Sequence, residues 1–246
     1  FGCRAGLSLT SGAANIIFGE CAMGGAAVTG SNNIVMGQTA GKAITSGHSN
    51  IYMGAGAGET RDTSEINIFM GPNAGNGGAT GNNNIALGMS SGRAITGNYN
   101  VFFGRYAGRY NTSGAHNVMI GANVGRCHTT GKCNIFIGNE AGSLASSSGG
   151  TGDNNIGMGC KALTSLTSGA HNIVFGSSAG TNICTGLANI LLGCCAGTGL
   201  RNGGCNVIIG HAAGRCTQSG NNNVMIGTES GTGGGHDNVF LGRYSG

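Results

Sequence analysis

The sequence predicts an all-β chain: a β-solenoid, of the β-helix or β-roll kind, built from about fourteen coils of 17 residues. Three observations predict it. A motif of Asn, Ile or Val, any residue, an apolar residue and Gly recurs fourteen times, starting at Asn15, Asn33, Asn50, Asn67, Asn84, Asn100, Asn117, Asn134, Asn155, Asn172, Asn189, Asn206, Asn223 and Asn238. Nine of the thirteen intervals between these asparagines are 17 residues, too short for a helix and a strand with their loops but enough for one solenoid coil. Gly makes up 53 of 246 residues, about three times its usual share, with no G-X-Y triplet to suggest collagen.

Within a copy, with the Asn counted as position zero, positions one to three form a short apolar strand. Position four is Gly in all fourteen copies, position seven is Ala, Ser or Val, and position eight is Gly in twelve, Met23 and Leu163 being the exceptions. Glycines at fixed corners allow positive φ without a Cβ clash. A Thr-Gly or Thr-Ser-Gly turn, as at 45–47 and 167–169, leads into the next Asn. Asparagine tolerates unusual backbone angles, and its amide can bond to copies in the coils above and below, as in amide ladders of stacked strands. A single Pro leaves backbone donors free for ladder bonding.

Alternation along a strand puts positions one and three on one face and position two on the other. The invariably apolar positions one and three are expected to fill the coil. Position two would then form an outward stripe: Ile17, Val35, Tyr52, Phe69, Phe102, Met119, Phe136, Val174, Leu191, Ile208, Met225 and Phe240, with Ala86 and Gly157 between them. At about 4.8 Å per coil the stripe covers on the order of 500 Å², near the largest patch a soluble monomer exposes. The straightforward way to bury it is against the same stripe on sister chains.

No change of composition marks a domain boundary, so residues 1–246 are expected to form one repeat array, with a loop insertion at 143–152 in the single 21-residue interval. The opening FGCRAG reads as the tail of a repeat and the closing NVFLGRYSG as the first half of another, so a segment of a longer fibre-like chain is expected. Only 8% of residues are charged and the net charge is +4, too little to imply a nucleic-acid partner. No apolar run reaches the length of a membrane span. Open coils at the ends would also allow end-to-end filaments.

The segments NIALGMSSG, NVMIGANVG and NIVFGSSAG resemble the repeats of trimeric autotransporter adhesin heads. The 17-residue form with its TSGAHN linker is more similar still to repeats of bacteriophage and large-DNA-virus tail fibres. The resemblance runs the length of the chain. It implies a trimeric shaft in an extracellular, cell-surface or virion fibre, although ten cysteines are more than a typical bacterial fibre carries.

Chemistry-bearing residues are few. Arg93, Arg109 and Arg126 occupy position nine of three consecutive copies, where stacked like charges repel unless an anion relieves them. They are the candidate site for an alternative function, an adhesin or receptor-binding module recognising anionic glycans. Cys127 and Cys216 share position ten, and Cys133 and Cys205 each precede an Asn, so Cys127–Cys133 and Cys205–Cys216 are candidate disulfides, the alternative being small buried residues or free thiols. Cys127, His128 and Cys133 lack a tetrahedral partner set for zinc. GAGAG at 54–58 lies in register with the other Gly corners, and no GK[ST] follows it as a phosphate loop requires. Glu59, Asp62 and Glu65 with Arg61 suggest a solvated turn, the histidines are scattered among linkers and corners, and Asn111-Thr112-Ser113 is a lone glycosylation sequon. No carboxylate pair suits a glycosidase, and the row of linker threonines is too irregular for ice binding. The expectation is a non-enzymatic structural protein without metal or cofactor, its partners being sister chains and, on the alternative, a cell-surface glycan.

Overall fold

The computed structural model describes residues 1–25, 27–78, 80–144 and 149–246. It is a parallel β-solenoid with one three-residue strand per coil, fourteen strands among the described residues. The chain forms two compact units, Phe1–Ile120 and Gly121–Gly246. The first holds β1 (Ile16–Phe18), β2 (Ile34–Met36), β3 (Ile51–Met53), β4 (Ile68–Met70), β5 (Ile85–Leu87), β6 (Val101–Phe103) and β7 (Val118–Ile120). The second holds β8 (Ile135–Ile137), β9 (Ile156–Met158), β10 (Ile173–Phe175), β11 (Ile190–Leu192), β12 (Val207–Ile209), β13 (Val224–Ile226) and β14 (Val239–Leu241). Within each unit successive strands pair in parallel with equivalent positions opposite, as Tyr52 stands opposite Phe69 and Leu191 opposite Ile208. The insertion expected at 143–152 includes residues 145–148, which lie outside the described residues; beyond them Gly150 pairs with His128 in a parallel bridge.

The asparagines form the expected ladder, and they form it inside the coil. Asn50 donates its backbone N–H and its Nδ2 to Oδ1 of Asn33, at 3.0 and 3.1 Å, and sends Nδ2 across its own coil to the carbonyl of Ser64 at 2.8 Å. Its own carbonyl accepts the N–H of Ile34 at 2.8 Å. The same pattern recurs in the second unit, where Asn206 donates to Oδ1 of Asn189 at 3.1 and 2.9 Å and to Gly220 at 2.8 Å. From Asn33 to Asn223 the repeat asparagines are buried.

This placement corrects the expected stripe. Because the Asn points inward, alternation turns position two inward as well and positions one and three outward. Val35, Tyr52, Phe69, Phe102, Met119, Phe136, Val174, Leu191, Ile208 and Met225 are fully buried within their coils, and Ile17 and Phe240, in the outermost strands, are half-buried. A 17-residue coil has room for one strand side chain beside the buried residue at position seven, not for two. The core packs large against small accordingly. Ala86 lies between Phe69 and Phe102 in register, and a Cβ on Gly157 would sit 3.1 Å from Cδ1 of Phe136.

The corner glycine at position four answers to two constraints at once. Gly37 has φ of +140°, and a Cβ there would approach the carbonyl oxygen of Gly54 to 2.5 Å. Two further corners are left-handed without glycine. The residue before each Asn and the residue at position six have positive φ in coil after coil, as in Ile66 (55°), Cys133 (56°), Asn73 (56°) and Lys161 (58°).

Two substitutions on adjacent residues separate the inward from the outward face. Phe102→Ala is expected to destabilise the first unit by about 3–5 kcal/mol, read by thermal or denaturant unfolding, whereas Phe103→Ala opens no cavity inside the coil and is expected to cost the coil itself much less. Asn67→Asp replaces a donating amide with an acceptor facing Oδ1 of Asn50, and is expected to be more damaging than Asn67→Ala.

Candidate functional site

The predicted arginines are divided between the two units. Arg93 and Arg109 belong to the first unit, where their coils stack directly: the N–H of Ala94 donates to the carbonyl of Arg109 at 3.1 Å. Arg93 is exposed, and no carboxylate pairs with either arginine among the described residues. The Arg109 guanidinium instead lies over the rings of Tyr106 and Tyr110, at 4.8 and 5.1 Å, and Arg105 lies over Tyr106 at 4.9 Å. The Arg105 and Arg109 charges thus lie against aromatic faces of their own coil. Arg126 belongs to the second unit, in a groove of about 380 Å³ with Glu140 and Lys161, which face each other at 3.9 Å; the mixed charge does not favour an anion there.

The candidate disulfides are not formed: Cys127, Cys133, Cys205 and Cys216 are free thiols. Members of each pair stand in different ladders of the coil. Cys127 accepts from Gly150 through its carbonyl, whereas the residue before Cys133 accepts from Asn154; Cys205 donates to Leu187, while the Gly199 backbone runs close to Arg215, next to Cys216. Among the described residues no three His, Cys, Asp or Glu side chains gather to hold a metal ion, and no helix is long and apolar enough to cross a membrane.

A fourth inward row, at position eleven, went unread in the sequence. It contains Ile44, Arg61, Gly78, Ile95 and Asn111 in the first unit and His128, Leu166, Ile183, Leu200 and Thr217 in the second. Three of these overturn sequence expectations. Asn111 is fully buried, so the sequon offers no acceptor in the folded chain. His128 is fully buried against Phe136 at 4.9 Å, with neither ring nitrogen hydrogen-bonded, and burial pulls its pKa down to about 4. Arg61 is not in a solvated turn but wholly enclosed.

Arg61 threads the core along the space left by Gly78, the glycine one coil on at the same position. Its Nε donates to Gly75 at 3.0 Å, Nη1 to Thr80 at 3.1 Å and Nη2 to Ile95 at 2.5 Å, each time to a carbonyl, so that one side chain ties three coils. Its guanidinium lies 5.1 Å over Phe69, which stacks on Tyr52 at 5.2 Å. Burial lowers the Arg61 pKa to about 10, still protonated at neutral pH, and raises that of Tyr52 to about 12. Glu65, expected to cluster with Arg61, pairs at the surface with His48 at 3.1 Å.

The second unit carries a more open feature. Asn182, Gly199 and Cys216, at position ten of three successive coils, line a notch together with Thr198 and Gln218. The notch has a volume of about 520 Å³ and is flanked by Arg201 and Arg215. The position-twelve ladder sets one wall: Cys184 donates to Arg201 at 2.9 Å and Arg201 to Gln218 at 2.9 Å.

Arg61→Met would leave three buried carbonyls without that donor, and is expected to destabilise the first unit by about 3 kcal/mol or more; Arg61→Lys, a single ammonium without the planar fork, is expected not to restore it. His128 has a lower pKa folded than unfolded, so its neutral form favours the fold fully above pH 6.5, and that stability is lost as pH falls toward about 4. The second unit is expected to lose about 2 kcal/mol between pH 7 and pH 5 from this group, and His128→Leu to abolish that part of the pH dependence in unfolding measurements. Compared with known proteins, the chain matches no family model, no curated protein and no solved structure.

Proposed function

We propose that the chain is a structural, non-enzymatic shaft segment of an extracellular or virion fibre, assembled as a homotrimer through the outer face of its strands. The observation that supports this reading is the composition of that face. Positions one and three point outward in strand after strand, and neither is charged or polar in any of the fourteen. Ile16 and Phe18 expose 49% and 45% of their surface, Phe103 51%, and Phe175 38%. In each unit seven strands about 4.8 Å apart and three residues wide give an apolar face of about 30 Å by 10 Å, on the order of 300 Å². That is already the size of the largest patch on a typical monomer, and each of the two units carries one.

Such a face favours a partner with the same spacing, and a second copy of the chain supplies it at every coil. Three copies arranged around an axis would bring three flat faces into one dry core with no unmatched side. The inter-chain packing thus moves from position two, which the coil itself uses, to positions one and three. A second function, recognition of anionic glycans, draws support from Arg93 and Arg109, which have no carboxylate partner among the described residues, and rests on a different part of the coil.

Sedimentation equilibrium of the whole chain is expected to give three copies per particle. Phe103→Lys with Phe175→Lys is expected to give single chains with an unchanged circular dichroism spectrum. A soluble monomer in the unaltered chain would overturn the shaft assignment.

A further inference from the structure

We infer that the notch at Gly199 is a binding site for a sulfated or carboxylated saccharide. This goes beyond the shaft assignment and is independent of it, because the site lies within one unit and on positions nine to twelve, apart from the strand face.

Gly199 is glycine because the next coil packs directly against it, a Cβ there meeting the carbonyl oxygen of Arg215 at 1.9 Å, and this close stacking brings Arg215 beside the coil that carries Arg201. Two exposed arginines border the notch, Arg201 from position twelve of one coil and Arg215 from position nine of the next. No carboxylate lines the notch, and neither arginine has an acidic partner among the described residues. Two guanidinium groups bordering one concavity repel each other, and an anion placed between them relieves that repulsion while accepting their planar, paired donors.

The rest of the lining selects among anions. The volume of about 520 Å³ falls in the range of small-molecule sites, roughly 300–1,000 Å³, and exceeds what a bare oxyanion fills. Thr198 and Gln218 add polar groups of the kind that meet sugar hydroxyls, and the amide of Asn182 is held in place by its bond to the Thr198 carbonyl at 2.6 Å. No aromatic side chain lines the notch, so nothing there would stack a nucleobase. A saccharide ring bearing one or two anionic substituents matches this combination of charge, size and polarity.

Cys216 lines the notch as an exposed free thiol and gives a direct readout. The full chain is alkylated at low ionic strength, and the rate at each cysteine is followed by peptide mass spectrometry. A heparin-derived tetrasaccharide is expected to slow alkylation of Cys216 at least tenfold while leaving Cys3 and Cys133 unaffected. Protection is expected to fade as salt is added, to be lost in Arg201→Gln with Arg215→Gln, and to persist in Arg93→Gln with Arg109→Gln. The Phe103→Lys, Phe175→Lys chain is expected to show the same protection, which separates this test from that of the trimer. Absence of protection at low salt would overturn the proposal, as would equal protection by an uncharged tetrasaccharide. Equal protection by inorganic sulfate at the same concentration would reduce the notch to a simple oxyanion site and overturn it too.

Discussion

The asparagine ladder inside the coil is the constraint from which the rest of the structure follows. Within each unit an interior repeat Asn uses its side-chain oxygen to receive two donors from the next coil, its side-chain nitrogen to reach back to the preceding Asn and across its own coil, and its carbonyl to receive a strand N–H. An amide supplies donor and acceptor in one planar group, which a carboxylate or hydroxyl does not. Fully enclosed, these bonds are shielded from water, and leaving any of them unmade is expensive. The ladder therefore fixes the spacing of the coils and their register. It also fixes the phase of the strand, because an inward Asn two residues before position two forces that position inward.

The sequence carried the period, the coil, the glycine corners and the ladder itself, because each repeats as a residue type. It did not carry the phase in composition. Positions one, two and three are all apolar, and constancy at one and three was the natural sign of a core. The better sign lay in size. Position two ranges from Gly157 and Ala86 to Phe136 and Tyr52, and its small members adjoin large ones, as residues do when they share a narrow interior. Position eleven was hidden for a related reason. Arg61, Gly78, Asn111, His128 and Leu200 have no chemistry in common, so only their 17-residue spacing could have revealed them.

Stacked identical positions also explain how a narrow core holds an arginine. A side chain too long for its own coil extends into the next when that coil offers a glycine, and the backbone carbonyls of the coil wall become its ligands. Arg61 and Gly78 are such a pair, with Phe69 and Tyr52 forming an aromatic surface beside the cation. The buried charge makes the fit specific to that coil: a shift of the repeats by one turn would bring Arg61 against a different row member, without the cavity or the carbonyls it needs. One irregular residue can thus set an absolute position along an array whose other coils are nearly interchangeable.

The left-handed corners have a consequence for how the chain reaches this state. Thirty non-glycine residues among those described hold positive φ, a conformation that L-residues disfavour by roughly 1–2 kcal/mol each. A solitary coil, with three-residue strands and several such corners, has too few bonds to offset that strain and should not persist by itself. A finished coil presents a template of carbonyls and amides on which the next can settle. Folding should proceed as growth from a nucleus of a few turns, and opening should peel turns away one after another.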